Sequence, residues 1–339
     1  MTTSREAPVS TLTHVPMYGG PLPDLDIDVA YWPGRVVPSG AAELHVREVD
    51  GPADGSETGV YVHGLGGSST NWTDLAALLS VRMRGLIVDL PGFGRSRPPR
   101  DYDYTLESHA EAVTRFVQGL SSGALGSGVL GSGPVHLFGN SMGGAISMMV
   151  AAARPDLVRS LTLVSPAVPD LRPDWRRASD PRLPLAMLPV VGARARRALA
   201  ALTPRERAEQ IIRLCFANPG DVPVQRIAAA EAEFAERLAM PWASAALGRS
   251  TMGLIRSWLV RRPRSLWAVA SQITAPTLVV WGTEDKLVSV RKAPKTAELI
   301  ERGRLLVLPR TGHVAQMERP ETVARGVLGM LDANDSGQW

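Results

Sequence analysis

Two serines of this chain sit in a G-x-S-x-G pattern, Ser141 in "FGNSMGG" and Ser121 in "GLSSG". A serine hydroxyl becomes a nucleophile only when a base stands beside it and donors await the charge on the attacked oxygen. One such match arises by chance in a chain this long with odds on the order of one in ten, so the flanking residues must choose. Ser141 follows the apolar, strand-like run "PVHLFG" (134–139) and opens the helical pattern "MGGAISMMVAAA". A sharp strand-to-helix turn lifts the hydroxyl out of the backbone, and the helix N-terminus stabilises negative charge beside it. Ser121 instead ends a helical pattern and opens the Gly/Ser-rich stretch "SSGALGSGVLGSG" (121–133), which reads as a surface connection. Ser121 is the decoy.

A base and an orienting acid should accompany the nucleophile, and in the order Ser, acid, His the base comes last. Of six histidines only His313 lies beyond residue 136, in "LPRTGHVAQMERPE", between the last strand-like run and the last helical pattern. The preceding strand, "PTLVVWG", runs into "TEDKLV" and offers Glu284 and Asp285, of which Asp285 is favoured. A carboxylate there would hold the imidazole in one tautomer and stabilise its cation. The glycine-rich "VHGLGGSS" after another strand lets backbone N–H groups face a ligand, which makes the amides of Leu65 and Met142 the candidate oxyanion donors. The same segment lacks the spacings of the common nucleotide-binding loops.

The elements that must position these residues alternate. Seven short apolar runs read as strands: 43–49, 59–64, 84–90, 134–139, 160–165, 276–282 and 304–309. Several are continuously apolar, as strands of a parallel sheet buried on both faces should be. Helical patterns lie between them, with Thr105 as an N-cap and Pro320 near a first position. The reading is an α/β domain around a mainly parallel sheet. From about 170 to 265 the alternation stops. That stretch shows no strand, only Ala, Leu, Arg and Met at helical spacing cut by Pro189, Pro204, Pro223, Pro241 and Pro263. It reads as a helical cap inserted into the domain. The expected division is an N-terminal extension (1–40), a first core part (41–168), a cap (169–265) and a second core part (266–339).

Composition narrows the partners. A chain of 339 residues, 45% of them apolar, buries a large core. One cysteine, Cys215, leaves no internal disulfide framework and fits a reducing compartment. No apolar run of signal-peptide or membrane-spanning length occurs, so a cytoplasmic location is expected. The net charge of +4 is uneven. Residues 169–265 carry seventeen arginines, no lysine and nine acids, and the rest of the chain is net acidic. Such a segment could attract an anionic surface, but no nucleic-acid-binding motif accompanies it.

Five motifs in order, "HGLGG" (63–67), "DLPGFGRS" (89–96), "GNSMGG" (139–144), "WGTEDKLV" (281–288) and "GHVAQMERPE" (312–321), give the chain a resemblance to the α/β-hydrolase superfamily over most of its length. The resemblance implies an eight-stranded, mostly parallel sheet with a helical cap. It also implies Ser141 as nucleophile, Asp285 as acid and His313 as base. Relatives that open epoxides or remove halides place an aspartate where Ser141 stands. "GNSMGG" looks like the elbow of hydrolases that cut carbon–carbon bonds in ring-cleavage products, yet Val314 follows the histidine where many of those carry tryptophan.

The expectation is therefore hydrolysis of a carboxylic ester of a small or medium-chain apolar acyl group, through an acyl-enzyme and without metal or organic cofactor. Carbon–carbon hydrolysis and a non-catalytic binding role on the same fold are the alternatives. Trp242, Met252 and Trp258, in the apolar runs 239–248 and 251–260, are candidates to line an acyl pocket together with 183–192. The expected partner is a small-molecule ester, with no nucleic acid. The chain is read as a monomer or homodimer, and a membrane contact would have to come from the apolar, basic cap.

Overall fold

In the computed structural model, residues 14–25, 34–52, 57–121, 133–171, 194, 197–198, 201–261 and 263–339 are described. Eight strands form one sheet: β1 (Gly34–Ser39), β2 (Ala42–Val49), β3 (Thr58–Val62), β4 (Arg84–Val88), β5 (Val135–Asn140), β6 (Val158–Val164), β7 (Thr277–Gly282) and β8 (Gly303–Leu308). Their order is β1-β2-β4-β3-β5-β6-β7-β8. β2 runs antiparallel to β1 and β4, and the remaining pairs are parallel.

The seven strands read from the sequence are all present, and β1 is the addition. It falls within the 1–40 stretch read as an extension, and "GRVVPS" gives no strand-like apolar run because it is short, carries a proline and exposes alternate residues. A proline is tolerated there because the strand lies on the sheet edge. Part of the same stretch is anchored as well. Tyr18 N–H donates to Arg325 O (2.9 Å), and the Arg325 guanidinium donates to the carbonyls of Tyr18 and Gly20.

Helices cover both faces. On one lie α1 (Thr73–Leu79) and the C-terminal helix, Pro320–Asp335, whose Val323, Val327 and Leu331 pack with Tyr61, Trp72 and Phe138. On the other, α2 (Leu106–Ser121) and α3 (Met142–Ala153) pack over the central strands. The α2 start is capped as the sequence implies, Ser108 N–H donating to Thr105 Oγ1 (3.2 Å). β3, β5 and β7 are buried at every position, which is why their sequences are nearly continuously apolar.

The described elements between β6 and β7 are helical: α4 (Pro204–Cys215), α5 (Val224–Leu238), α6 (Ala243–Leu259) and the short α7 (Leu266–Ala270). The apolar run 183–192 and most of the 121–133 connection lie outside the described residues. After β7 come α8 (Ala293–Leu299), β8, the single turn α9 (Ala315–Glu318) and the C-terminal helix, α10. Among the described residues no helix is long and apolar enough to cross a membrane.

The topology itself points to a place. From β3 the chain steps to β4 on one side and then to β5 on the other, so the direction of winding reverses between β3 and β5. In open α/β sheets ligands bind at that switch point, outside the carboxyl ends of the strands.

Candidate active site

Four of the candidate residues follow the carboxyl ends of parallel strands: Leu65 after β3, Ser141 after β5, Asp285 after β7 and His313 after β8. Ser141 stands between β5 and α3 with φ 54° and ψ −119°, a left-handed conformation that costs a non-glycine residue about 1–3 kcal/mol. Backbone bonds impose it. Ser141 N–H donates to Val164 O (3.0 Å), and Ser141 O accepts from Ala145 N–H (3.1 Å) and Ala167 N–H (2.8 Å). The turn is tight enough to demand glycine, since a Cβ on Gly143 would lie 2.3 Å from Val62 O and 2.4 Å from His63 O. Met142 opens α3, so its N–H finds no acceptor within the helix. Ser121, by contrast, is the last residue of α2 and has no strand before it.

The second candidate donor belongs to the turn Gly64–Gly67, closed by Gly67 N–H donating to Gly64 O (3.0 Å). This turn abuts the serine, for a Cβ on Gly64 would lie 3.1 Å from Ser141 Cβ. His63, fully buried, locks it from the β3 side. Its Nε2 accepts from Leu90 N–H (3.0 Å), so the proton sits on Nδ1 and donates to Gly64 O (2.7 Å). Burial lowers the pKa of this imidazole despite the nearby Asp89 carboxylate, which suits a neutral ring with one donor and one acceptor.

Asp89, in the "DLPGFGRS" motif, organises the neighbouring loops. It accepts from Ser69 N–H (2.6 Å), Arg95 N–H (3.0 Å) and His45 Nδ1 (2.9 Å). Burial would raise its pKa, but the bond from His45 and the adjacent His63 and Arg95 N–H outweigh it and hold the carboxyl low. Gly94 must be glycine here, at φ 50° and with its missing Cβ pointing onto that carboxylate.

His313 Nδ1–H donates to Asp285 Oδ2 (2.9 Å), with the side chains only 4% and 0% exposed. The other oxygen of Asp285 accepts from the N–H groups of Leu287 (2.8 Å) and Val288 (2.9 Å), which fixes the carboxylate in place. This leaves Nε2 of His313 as the basic nitrogen. Glu284 is exposed, and only its backbone joins the loop, donating to Thr311 O (2.9 Å). Asn140, beside the serine, donates from Nδ2 to Val164 O (3.0 Å) and His313 O (3.1 Å). The elbow and the histidine loop are thereby tied together.

The helices between β6 and β7 reach the same edge. His313 N–H donates to Cys215 O (2.7 Å) at the end of α4, and Lys286 Nζ donates to the carbonyls of Arg213 and Phe216. A cation on the last carbonyls of a helix is favourable both as a cap and against its dipole. The Glu318 carboxylate joins Gly312 N–H (2.7 Å) to Ala217 N–H (3.0 Å).

The three candidate pocket residues separate. Trp258 is half-buried and donates from Nε1 to the carbonyl of Ala167 (2.8 Å), the residue whose N–H holds Ser141 O. Trp242 is half-buried at the start of α6. Met252 is 43% exposed, on the face of α6 opposite Ala246, Ser250 and Leu254, and does not join them. Apolar residues on several sides of "TMGLIRSWL" give no sign of which face turns inward. Leu247 of α6 reaches the turn, its Cδ1 lying 3.4 Å from where a Gly66 Cβ would be.

Asn140, His63 and Asp89 are contributors that residue-type reasoning passed over. Each is a polar residue at the end of an otherwise apolar strand, and that interruption was the available signal. No group of three or more His, Cys, Asp or Glu able to hold a metal ion occurs among the described residues.

With this geometry in hand, comparison with known proteins gives a family and a range of activities. Residues 60–320 match the family model described as "alpha/beta hydrolase fold". A monoacylglycerol lipase from Xenopus laevis is 26% identical over 82% of this chain and 76% of its own. A 2-hydroxy-6-oxo-6-(2'-aminophenyl)hexa-2,4-dienoic acid hydrolase from Metapseudomonas resinovorans is 27% identical over 88% of this chain and 90% of its own. Among solved structures, a membrane phospholipase A superposes with a TM-score of 0.66 at 26% identity, covering 89% of this chain and 86% of that one. A 2-hydroxy-6-oxo-6-phenylhexa-2,4-dienoate hydrolase from a Rhodococcus strain has the same fold, with a TM-score of 0.69 at 21% identity over 88% of this chain and 98% of that one.

Proposed function

Since this chain belongs to the alpha/beta hydrolase fold family and is a hydrolase, we propose that it cleaves a carboxylic ester of a small or medium-chain apolar acyl group through a Ser141–His313–Asp285 triad. The observation that carries the reading is Ser141 itself, held at a left-handed φ at the head of α3 with the Gly64 turn against its side chain. Strain of that kind persists only where surrounding contacts over-determine it, and it concentrates at sites of chemistry.

In this reading His313 Nε2 takes the Ser141 proton as the oxygen attacks the ester carbonyl carbon. The Leu65 and Met142 N–H groups receive the oxyanion, each such donor being worth about 3 kcal/mol. His313 returns the proton to the departing alcohol, then draws a proton from water as it attacks the acyl-enzyme, and gives it to Ser141 Oγ as the acyl–Oγ bond breaks and the acid leaves. Asp285 keeps the proton on Nδ1 and stabilises the imidazolium in both steps. The α4–α6 helices act as a cap, spanning about 169–265, with Trp242 and Trp258 among the residues that line the acyl pocket. The substrate is a small molecule, and the site of action is the cytoplasm.

A second reading, hydrolysis of a carbon–carbon bond in a ring-cleavage product, is favoured by the likeness to the Metapseudomonas hydrolase over nine-tenths of that protein. Both readings use the same three residues. Turnover of p-nitrophenyl esters of two, four, eight and twelve carbons, with S141A and S121A beside the wild type, separates them. Ester hydrolysis that vanishes in S141A and persists in S121A supports the first reading. A wild type inactive on all four esters but active on a ring-cleavage product supports the second.

A further inference from the structure

A trans peptide is planar, so the C=O of one residue and the N–H of the next point in opposite directions. In the Gly64–Gly67 turn this rule links groups that do not touch. The Leu65 N–H is aimed by the Gly64 carbonyl, which accepts from His63 Nδ1–H (2.7 Å) and Gly67 N–H (3.0 Å). Gly67 N–H is aimed in turn by the Gly66 carbonyl, and that oxygen is taken by the Arg237 guanidinium of α5. The turn has little stiffness of its own, with three glycines in four residues and Gly66 at φ 72°. His63 secures one end of it from the sheet. Arg237 grips the Gly66 carbonyl at the other end.

The guanidinium is itself held. Glu233, one helical turn earlier, accepts from Arg237 through Oε1 (2.7 Å) and from Thr70 Oγ1 through Oε2 (2.8 Å), and Arg237 lies 5.1 Å over the Phe234 ring. The side chains of Arg237 and Glu233 are 18% and 23% exposed, so their charge-assisted bonds are shielded from full solvent screening. The Arg95–Glu236 pair on the same helix is about half exposed at both partners and touches no part of the turn.

We infer that Arg237 is a positioning residue for the Leu65 N–H, acting through two successive peptide planes from a helix that lies outside the sheet domain. Displacement of α5 releases the Gly66 carbonyl and lets the Gly66–Gly67 peptide rotate, so the oxyanion donor is aligned only while α5 is docked. The kinetic part of this inference rests on the ester-hydrolase reading; the positioning part does not.

Amide hydrogen exchange followed residue by residue by NMR, on R237M, R237K, E236Q and the wild type, tests the positioning without any substrate. The expected result is Gly67 N–H exchange about tenfold or more faster in R237M, intermediate in R237K and unchanged in E236Q. On the ester preferred by the wild type, kcat should fall on the order of 10- to 100-fold in R237M with KM within about twofold. The inhibition constant of an alkyl trifluoromethyl ketone, which places an oxyanion on the serine adduct, should weaken by the same factor as kcat/KM. Gly67 exchange in R237M equal to the wild type, or an equal acceleration in E236Q, would overturn the inference. If the wild type hydrolyses no ester, the exchange result still decides the role of Arg237, and it is the proposed substrate class that fails.

Discussion

The ground beneath Ser141 and the helices between β6 and β7 are built by opposite means. Around the serine, β3 and β5 are buried at every position, and glycines let backbone touch backbone. In α5 no residue is fully buried; Ile227 packs against the small cluster of Ile212, Phe216 and Val314, and the other attachments are side-chain polar contacts: Arg226 to Asp74, Glu233 to Thr70, Glu236 to Arg95 and Arg237 to Gly66 O. α6 adds only Ala246, Ser250 and Leu254 as buried positions. Close packing tolerates no change of volume and gives one geometry. The exposed Arg95–Glu236 pair is weak, replaceable and sensitive to salt, while the Arg226–Asp74 and Arg237–Glu233 pairs are less than a quarter exposed and are screened less. The lesson is a division of labour, with a rigid floor for the chemistry and a more lightly packed set of helices latched to it through a few polar contacts and a few apolar residues, Ala246 and Leu254 of α6 and the Ile212–Phe216–Val314 cluster.

The largest effect that tests the rigid side is electronic. Asp285→Asn should leave the fold intact yet lower kcat on the preferred ester by about 10⁴, because an amide favours the wrong tautomer of His313. Unchanged turnover would remove Asp285 from the floor's machinery. Next comes steric density: Gly143→Ala should cost about 3 kcal/mol in urea unfolding, since its Cβ would meet two backbone carbonyls that cannot move aside. The contrasting change is Gly248→Ala in α6, where nothing lies within 4 Å of the added carbon. It should stabilise by about 0.5–1 kcal/mol through helix propensity alone. Equal outcomes at the two glycines would erase the comparison.

A pH titration probes the seam between the two regions. His109 of α2 is fully buried, bonded to Tyr102 OH (3.0 Å) and to Ser250 Oγ of α6 (3.1 Å). Burial, with the nearby His63 adding to it, lowers its pKa from 6.5 to about 3. The unfolded chain therefore binds a proton at this residue that the folded chain refuses, so its contribution is complete above pH 6.5. It is lost as pH falls from 6.5 toward 3, by up to about 1.4 kcal/mol per pH unit. The difference in unfolding free energy between wild type and His109→Asn should shrink across that window, and a constant difference would show that the seam is not a neutral histidine. The smallest effect is on the latch. Raising salt from 0.05 to about 0.5 M should speed amide exchange in α5 severalfold while leaving β3 and β5 unchanged.

What the sequence determined by itself was what local chemistry writes into local order. Short apolar runs marked the seven strands from β2 to β8, several of them nearly continuous where burial on both faces leaves no other pattern. Ser141 was separable from Ser121 because a strand must precede and a helix follow a nucleophile's turn. His313 was the only histidine late enough to follow the last strand, and Asp285 was one of two acids after β7. The tertiary structure decided what depends on partners far away in the chain. It set Asp285 inward and Glu284 outward, since two adjacent acids differ only in what meets them. β1 forms because β2 is there to pair with it, and Met252 is exposed because α6 turns Ala246, Ser250 and Leu254 toward the protein. His63, Asn140 and Arg237 take their roles from distant or neighbouring backbone carbonyls, Gly64 O for His63, Val164 O and His313 O for Asn140, and Gly66 O for Arg237. A carbonyl is common to every residue, so no sequence pattern marks the one that a distant side chain will hold; that is fixed only when the folded chain brings the two together.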